Sequence, residues 1–332
     1  MKIIKNPYYD RFRCIAQECP DSCCQQWDVQ IDEVSAAKYR SLPGPLGDRL
    51  RQVLKDLDGE TVMTIENSRC PMWRDDGLCQ IQAELGEEEL CKVCRDYPRL
   101  SHDYGDFIEL GLELSCPEVA RLLLTQPYQA PTIAEIPGGS QPEYDAQAMS
   151  VLLQTREKAL SILNNDGYSH SQALTLLLMY AYHAQALLDE LDVTVFSPNE
   201  ALAQALNMAS PADFAQLPAF FGGLEILTNT WRKCLQYPSP TAWSASLRKL
   251  AIYGVERYWL QAVSDYDLVC RVKMIVVSCL LVKALGGDPV STAQLYSKEI
   301  ENNIDNVEAI LDAAYTHPAF TDNKLLWLIN QP

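Results

Sequence analysis

The chain has 332 residues, 48% hydrophobic and 21% charged, with a formal net charge of −17. That composition suits a folded chain rather than long disorder. The acidic excess is spread evenly and argues against nucleic acid as a partner, because phosphate binding needs clustered Lys and Arg. At about 150 residues per domain, two domains are expected.

The opening stretch, MKIIKNPYYDRFRC, has two lysines but neither an apolar core nor a small-residue cleavage site, so no export signal is read and a cytoplasmic location is expected. Trp27 to Ile31 alternates apolar and polar residues, as a half-buried strand does. Asp32 to Leu42 predicts a short helix capped by the aspartate, with Glu33 in its first turn. A second helix is expected over 86–95. Ile108, Leu110, Leu112 and Leu114 alternate with Glu109, Gly111 and Glu113 in a clearer strand pattern. Cys116-Pro117-Glu118 then opens a helix, with proline at the first position and glutamate at the positive end of the dipole. Residues 126–144, QPYQAPTIAEIPGGSQPEY, carry the proline and glycine of a linker. Beyond it, apolar residues recur at three- and four-residue spacings over 145–164, 170–191, 223–236, 241–262, 266–286 and 298–315. Ser239 and Asp265 are candidate caps, and Ser197-Pro198-Asn199-Glu200 is a fuller helix start. Leu268 to Leu285 is the most apolar run, but Arg271, Lys273 and Lys283 interrupt it. It predicts a buried core helix, not a membrane span. The expected fold class is therefore mainly α. A loop-rich, metal-binding domain with a few short strands covers 1–125, a Pro/Gly-rich linker 126–144, and an all-α helical domain 145–332.

Nine of the twelve cysteines fall in the first 116 residues: Cys14, Cys19, Cys23, Cys24, Cys70, Cys79, Cys91, Cys94 and Cys116. A disulfide framework needs an oxidising compartment, so dense cysteines in a cytoplasmic chain point to metal. Cys234, Cys270 and Cys279 lie in apolar helical stretches and are expected to be core. Four early thiols fall in one run, Cys14-x4-Cys19-x3-Cys23-Cys24. The others follow in Cys70-Pro71-Met72-Trp73, Gly77-Leu78-Cys79, Cys91-x2-Cys94 and Cys116. Thiolates are soft ligands for zinc or for iron–sulfur clusters, and the spacing leaves both open. The CxxC pair lacks the βαβ context of a redox dithiol. Cys91 and Cys94, three apart on the expected helix, leave Cys91 as a possible face residue of that helix. No G-x-G-x-x-G turn follows a strand, which disfavours a Rossmann-type nucleotide site. The four histidines are scattered, and His102 alone lies near the cysteine motifs.

Taken together, the motifs resemble the CxxCxxCC family of zinc- or iron-chelating domains, although the first run is more widely spaced than that name. The resemblance to the flagellin lysine-N-methylase family is closer. It is carried by Phe12, Cys14, Cys19, Cys23, Cys24, Trp27 and Ile31, then by Cys70-Pro71, Gly77-Leu78-Cys79, Tyr97-Pro98-Arg99 and Ser115-Cys116-Pro117-Glu118. It implies methyl transfer from S-adenosylmethionine to lysines of flagellin, with no membrane or nucleic-acid partner. It also implies a [4Fe-4S] cluster, with zinc as the alternative, on Cys14, Cys19, Cys23, Cys24, Cys70, Cys79, Cys94 and Cys116. The cysteine spacing is not the CxxxCxxC of radical enzymes that cleave S-adenosylmethionine. Lysine methylation needs an amine that has lost its proton, and Tyr97, Asp96 and Glu118 are candidate acceptors, Tyr97 first. Arg95 and Arg99 are candidates to hold the donor's carboxylate bidentately. A second reading is a non-catalytic zinc- or iron-binding interaction protein, in which metal supplies the core that a loop-rich domain lacks.

Overall fold

The computed structural model describes residues 1–25 and 27–331. Among the described residues, strands are confined to the first 135. They are β1 Lys2–Lys5, β2 Val29–Ile31, β3 Leu54–Leu57, β4 Glu60–Met63, β5 Arg99–Asp103, β6 Phe107–Leu112 and β7 Thr132–Glu135. Between them lie the short helices α1 Glu33–Ser41, α2 Gly44–Val53, α3 Gln80–Leu85, α4 Lys92–Asp96 and α5 Pro117–Thr125. The expected helix over 86–95 is instead a 3₁₀ turn, Glu87–Glu89, followed by α4.

Two small sheets form. One has the order β5-β6-β1-β7, with β1 parallel to β6 and antiparallel to β7. The other is the antiparallel β2-β4-β3. The segment read as a linker thus contributes a strand, and every residue of β7 is exposed.

The rest is helical, and the fold is mainly α. The elements are α6 Ala146–Leu163, α7 His170–Leu188, α8 Pro198–Met208, α9 Gln216–Phe221, α10 Asn229–Gln236, α11 Ala245–Tyr258, α12 Leu268–Leu285, α13 Pro289–Tyr296, α14 Ile304–Thr316 and α15 Asp322–Ile329. A π-helical turn, Ser297–Glu301, continues α13. The caps differ from expectation. Ser244, not Ser239, accepts from the Leu247 amide at the start of α11, and Asp267, not Asp265, caps α12.

All eighteen residues of α12 are buried, as expected for a helix apolar on every side. Its charges are answered inside the fold: Arg271 pairs with Asp265 at 2.8 Å and Lys273 with Asp322 at 3.0 Å. The Lys283 ammonium lies over the rings of Phe214 and Trp243. Gly254 lets the α11 backbone approach this helix, since a Cβ there would meet Ile275 Cγ1 at 2.7 Å. Among the described residues, no helix is long and apolar enough to cross a membrane.

The buried side chains form two clusters. The larger joins the helical part to Tyr8, Phe12, Phe107, Leu112 and Leu114 of the first sheet region. The smaller lies among Val29, Ile31, Tyr39, Leu50, Met63, Met72 and Ile81, and it contains Cys70 and Cys91. Cys270 and Cys279 are core, whereas Cys234 is half-buried.

Candidate functional site

All twelve cysteines are free thiols. The three early motifs are brought together by backbone contacts. The Cys70 amide donates to the Cys24 carbonyl at 2.8 Å, and the Gln80 amide to the Met72 carbonyl at 2.7 Å. Asp32 ties in α4: its carboxylate caps α1 at Ser35 (3.0 Å) and also accepts from the Lys92 amide (2.8 Å). Cys24, Cys70, Cys79, Cys91 and Cys94 form one electrostatically linked group at the smaller core. Cys14, Cys19 and Cys116 form a second. Cys23 faces both, interacting with Cys24 on one side and Cys14 and Cys116 on the other. Cys91, which the sequence left as a possible helix-face residue, is hydrogen-bonded to Cys94 within the first group.

Burial pushes the Cys70 and Cys116 thiols up to about 12. Cys116 does sit at the N-terminus of α5, where the Val119 and Glu118 amides favour a thiolate, but desolvation outweighs them. In the pairs Cys23–Cys24 and Cys91–Cys94 one thiol donates to the other. Cys24 is lowered to about 7 by the Cys23 hydrogen bond, while Cys23 is raised. Cys91 is likewise lowered and Cys94 raised.

The donor set, free thiols with two predisposed to ionise, fits an iron–sulfur cluster by ligand chemistry. Among the described residues no three His, Cys, Asp or Glu side chains converge as ligands of one metal ion.

Beside the cysteines is a cavity of about 380 Å³, within the range of small-molecule sites. It lies where the cysteine loop meets the helical part. Cys23, Trp27, Tyr97 and Ser115 line it from one side, and Leu227, Lys298, Glu299 and Asn302 from the other. Asp21, between Cys19 and Cys23, locks the two sides together. It accepts from Lys298 Nζ at 2.8 Å and from Gln294 Nε2 at 3.0 Å. Its lining holds four carboxylates, Asp21, Glu113, Glu225 and Glu299, against the one ammonium of Lys298. The cavity therefore favours a cation.

Tyr97 follows α4 and precedes a cis peptide bond to Pro98. Its hydroxyl hydrogen-bonds Ser115 Oγ at 3.0 Å, and Ser115 Oγ donates to Glu113 Oε1 at 3.0 Å. This is a short chain along the cavity wall that ends on a carboxylate lining the same cavity. Burial raises both the Tyr97 phenol and the Glu113 carboxyl. Tyr97 thus stays protonated and donates, and Glu113 is the stronger proton acceptor.

The other candidates lie elsewhere. Arg95 is exposed and near Asp96 at 3.6 Å. Arg99 stacks over Tyr9 and Phe12 and lines an open groove of about 720 Å³. That groove shares Val93, Tyr97 and Glu113 with the enclosed cavity. Asp96 pairs with Lys92 and Glu118 with Arg121, and neither lines the enclosed cavity. His102 lines a separate small cavity with Arg156, Glu256 and Arg257. The sequence reading missed Glu113, Lys298 and Glu299 as site residues. Only Glu113 had a nearby signal, the Ser115-Cys116-Pro117 motif.

Two curated proteins named lysine-N-methylase, from Salmonella typhimurium (strain LT2) and Salmonella choleraesuis (strain SC-B67), are each 28% identical to this chain over 189 residues. The chain is a relative of the lysine-N-methylases. The match covers 54% of this chain and 46% of each lysine-N-methylase, so the chain spans about half the length of the curated relatives it matches. A protein named flagellar biosynthetic protein FliU, from Salmonella muenchen, is 29% identical over 127 residues, 36% of this chain and 75% of that protein. No protein-family model matches the chain. No solved structure matches it.

Proposed function

We propose that this chain is a cytoplasmic protein-lysine N-methyltransferase that methylates flagellin, taking the methyl group from S-adenosylmethionine. We further propose that the N-terminal cysteines hold a [4Fe-4S] cluster. Relatedness to lysine-N-methylases supports the reaction class, and the flagellar name of a third relative supports the substrate. The observation that carries the reading is the acidic cavity with Cys23 in its wall. Lysine ammonium and donor sulfonium are both cations, and the four carboxylates suit either.

The donor supplies a methyl group on a positively charged sulfur. The chain's own task is to seat the lysine and remove its proton. When the nitrogen–methyl bond forms and the sulfur–methyl bond breaks, the amine must already have lost one proton. In this reading Glu113, which lines the cavity and is held there by Ser115 and through it by Tyr97, receives that proton. The four ligands of the cluster would be drawn from Cys14, Cys19, Cys23, Cys24, Cys70, Cys79, Cys94 and Cys116, with Cys91, which lies among them, as a further candidate. Bound by these cysteines, such a cluster would supply redox-active iron.

The test uses protein purified without oxygen, its iron, sulfide and zinc content, and mass spectrometry of flagellin incubated with it and S-adenosylmethionine. Added methyl mass on lysines is expected, together with iron and sulfide in equal amounts. Glu113→Gln is expected to lower kcat by about 10²-fold or more, the usual worth of a general base. Unmodified flagellin lysines would remove the assignment, and a colourless protein with stoichiometric zinc would remove the cluster.

A further inference from the structure

One wall of the cavity has no task in that scheme. Glu299 sits in the π-helical turn and is 2% exposed. Such turns inside helices recur at functional sites. Its Oε2 accepts from the Leu227 amide at 2.7 Å, whereas its Oε1 is buried with no hydrogen-bond partner. Burial raises its pKa against the Thr228 hydroxyl and the Leu227 and Thr228 amides, which favour the charge. Of these, only the Leu227 amide makes a bond of ordinary geometry. A buried acceptor oxygen left without a donor is costly.

The other carboxylates of the cavity are served. Asp21 holds Lys298 and Gln294, Glu113 accepts from Ser115, and Glu225 accepts from Asn303 at 2.7 Å. Lys298 is committed to Asp21 and is not the donor that Oε1 lacks. A donor from outside must be cationic to suit this lining, and narrow and apolar behind its charge to pass Leu227, which is 42% exposed at the rim. A lysine side chain has those properties, a four-carbon stem ending in three N–H donors.

We infer that Glu299 is the specificity-determining residue that receives the ε-ammonium of an incoming lysine, with Oε1 as its acceptor. It binds the side chain, whereas Glu113 removes the proton. The inference rests on the methyltransferase reading for the identity of the acceptor.

The test compares the binding of two small probes to the protein by titration calorimetry or ligand-observed NMR: N-acetyl-lysine methylamide and its uncharged analogue N-acetyl-norleucine methylamide. The lysine probe is expected to bind at least about tenfold tighter. Glu299→Gln, whose amide oxygen can still accept from Leu227, should lose most of that preference. Glu299→Asp, which withdraws the carboxylate by one methylene, should lose part of it and serves if the first variant does not fold. In methylation assays Glu299→Gln should raise KM for a lysine peptide about tenfold with little change in kcat. Equal binding of the two probes by the wild type, or an unchanged preference in the folded variants, overturns the inference. Methyl transfer with KM unmoved by Glu299→Gln removes this inference and leaves the enzyme reading standing. Lysine-selective binding that Glu299→Gln abolishes, in a protein that transfers no methyl group, does the reverse.

Discussion

Glu256 on α11 is half-buried beside the Arg156–Glu109 ion pair, whose closest contact is 2.6 Å, and desolvation pushes its carboxyl up to about 7 from an ordinary 4.5. A carboxyl raised on folding contributes stability that is complete below pH 4.5 and is lost as the pH climbs through 7. Glu256→Gln imitates the protonated form at every pH. At roughly 1.4 kcal/mol per pH unit, the variant should be more stable than wild type by about 1 kcal/mol at pH 5.5 and about 3 kcal/mol at pH 8. Urea denaturation at the two pH values checks this, and a gain that does not grow with pH counts against it. The sequence shows a glutamate among aromatic residues here, but its protonation is a property of the surroundings. Cys116 teaches the same lesson. Its place before a helix was legible, and a helix N-terminus favours a thiolate, yet burial outweighs that here. Tyr97 was legible through its Tyr-Pro-Arg motif and does line the cavity. Glu299 was not, because no residue pattern marks where a helix widens into a π turn.

Asp32 shows how one side chain organises two elements. It caps α1 through Ser35 and holds the Lys92 amide at the start of α4, next to Cys91 and Cys94. These two bonds lower its pKa to about 2, the Lys92 bond most. Asp32→Ala should therefore cost about 1–2 kcal/mol, the upper range for a lost cap. It should also reduce bound metal, because the cysteine-bearing turn loses its anchor, while Asp32→Asn should retain most of both. Metal content and denaturation midpoints of the two variants test this; full metal retention in a destabilised Asp32→Ala would separate the cap from the cysteines. The helix over 33–41 was readable because its cap and its first-turn glutamate are local signals. The helix α2 was not, since Pro43, Gly44, Pro45 and Gly47 signal turns and only Leu46, Gly47 and Leu50 are buried. The strand β7 escaped for another reason. All four of its residues are exposed, so no alternation of burial is written into it.

The whole molecule has two cores of unequal means. The larger is built around α12, buried along its full length, and is formed mainly by helix packing with a contribution from the first sheet. The smaller gathers buried residues between Val29 and Cys91 from short strands and short helices, with Cys24, Cys79 and Cys94 packed against it. So small and loop-rich a unit is where a bound metal would contribute folding free energy. Treating the anaerobically purified protein with a chelator should therefore raise hydrogen exchange first over 24–94. Helices between 146 and 329 should keep their protection. The cavity lies across the seam between the cores, closed by the Asp21–Lys298 pair and by Gln294 Nε2 donating to the Ser115 carbonyl at 2.7 Å. Loosening the smaller core removes one of its walls, so binding of the lysine probe should fall in step with the loss of metal. Exchange that rises equally across both cores, or probe binding that survives after residues 24–94 have lost protection, would show that the cysteine-bearing core and the cavity are energetically independent.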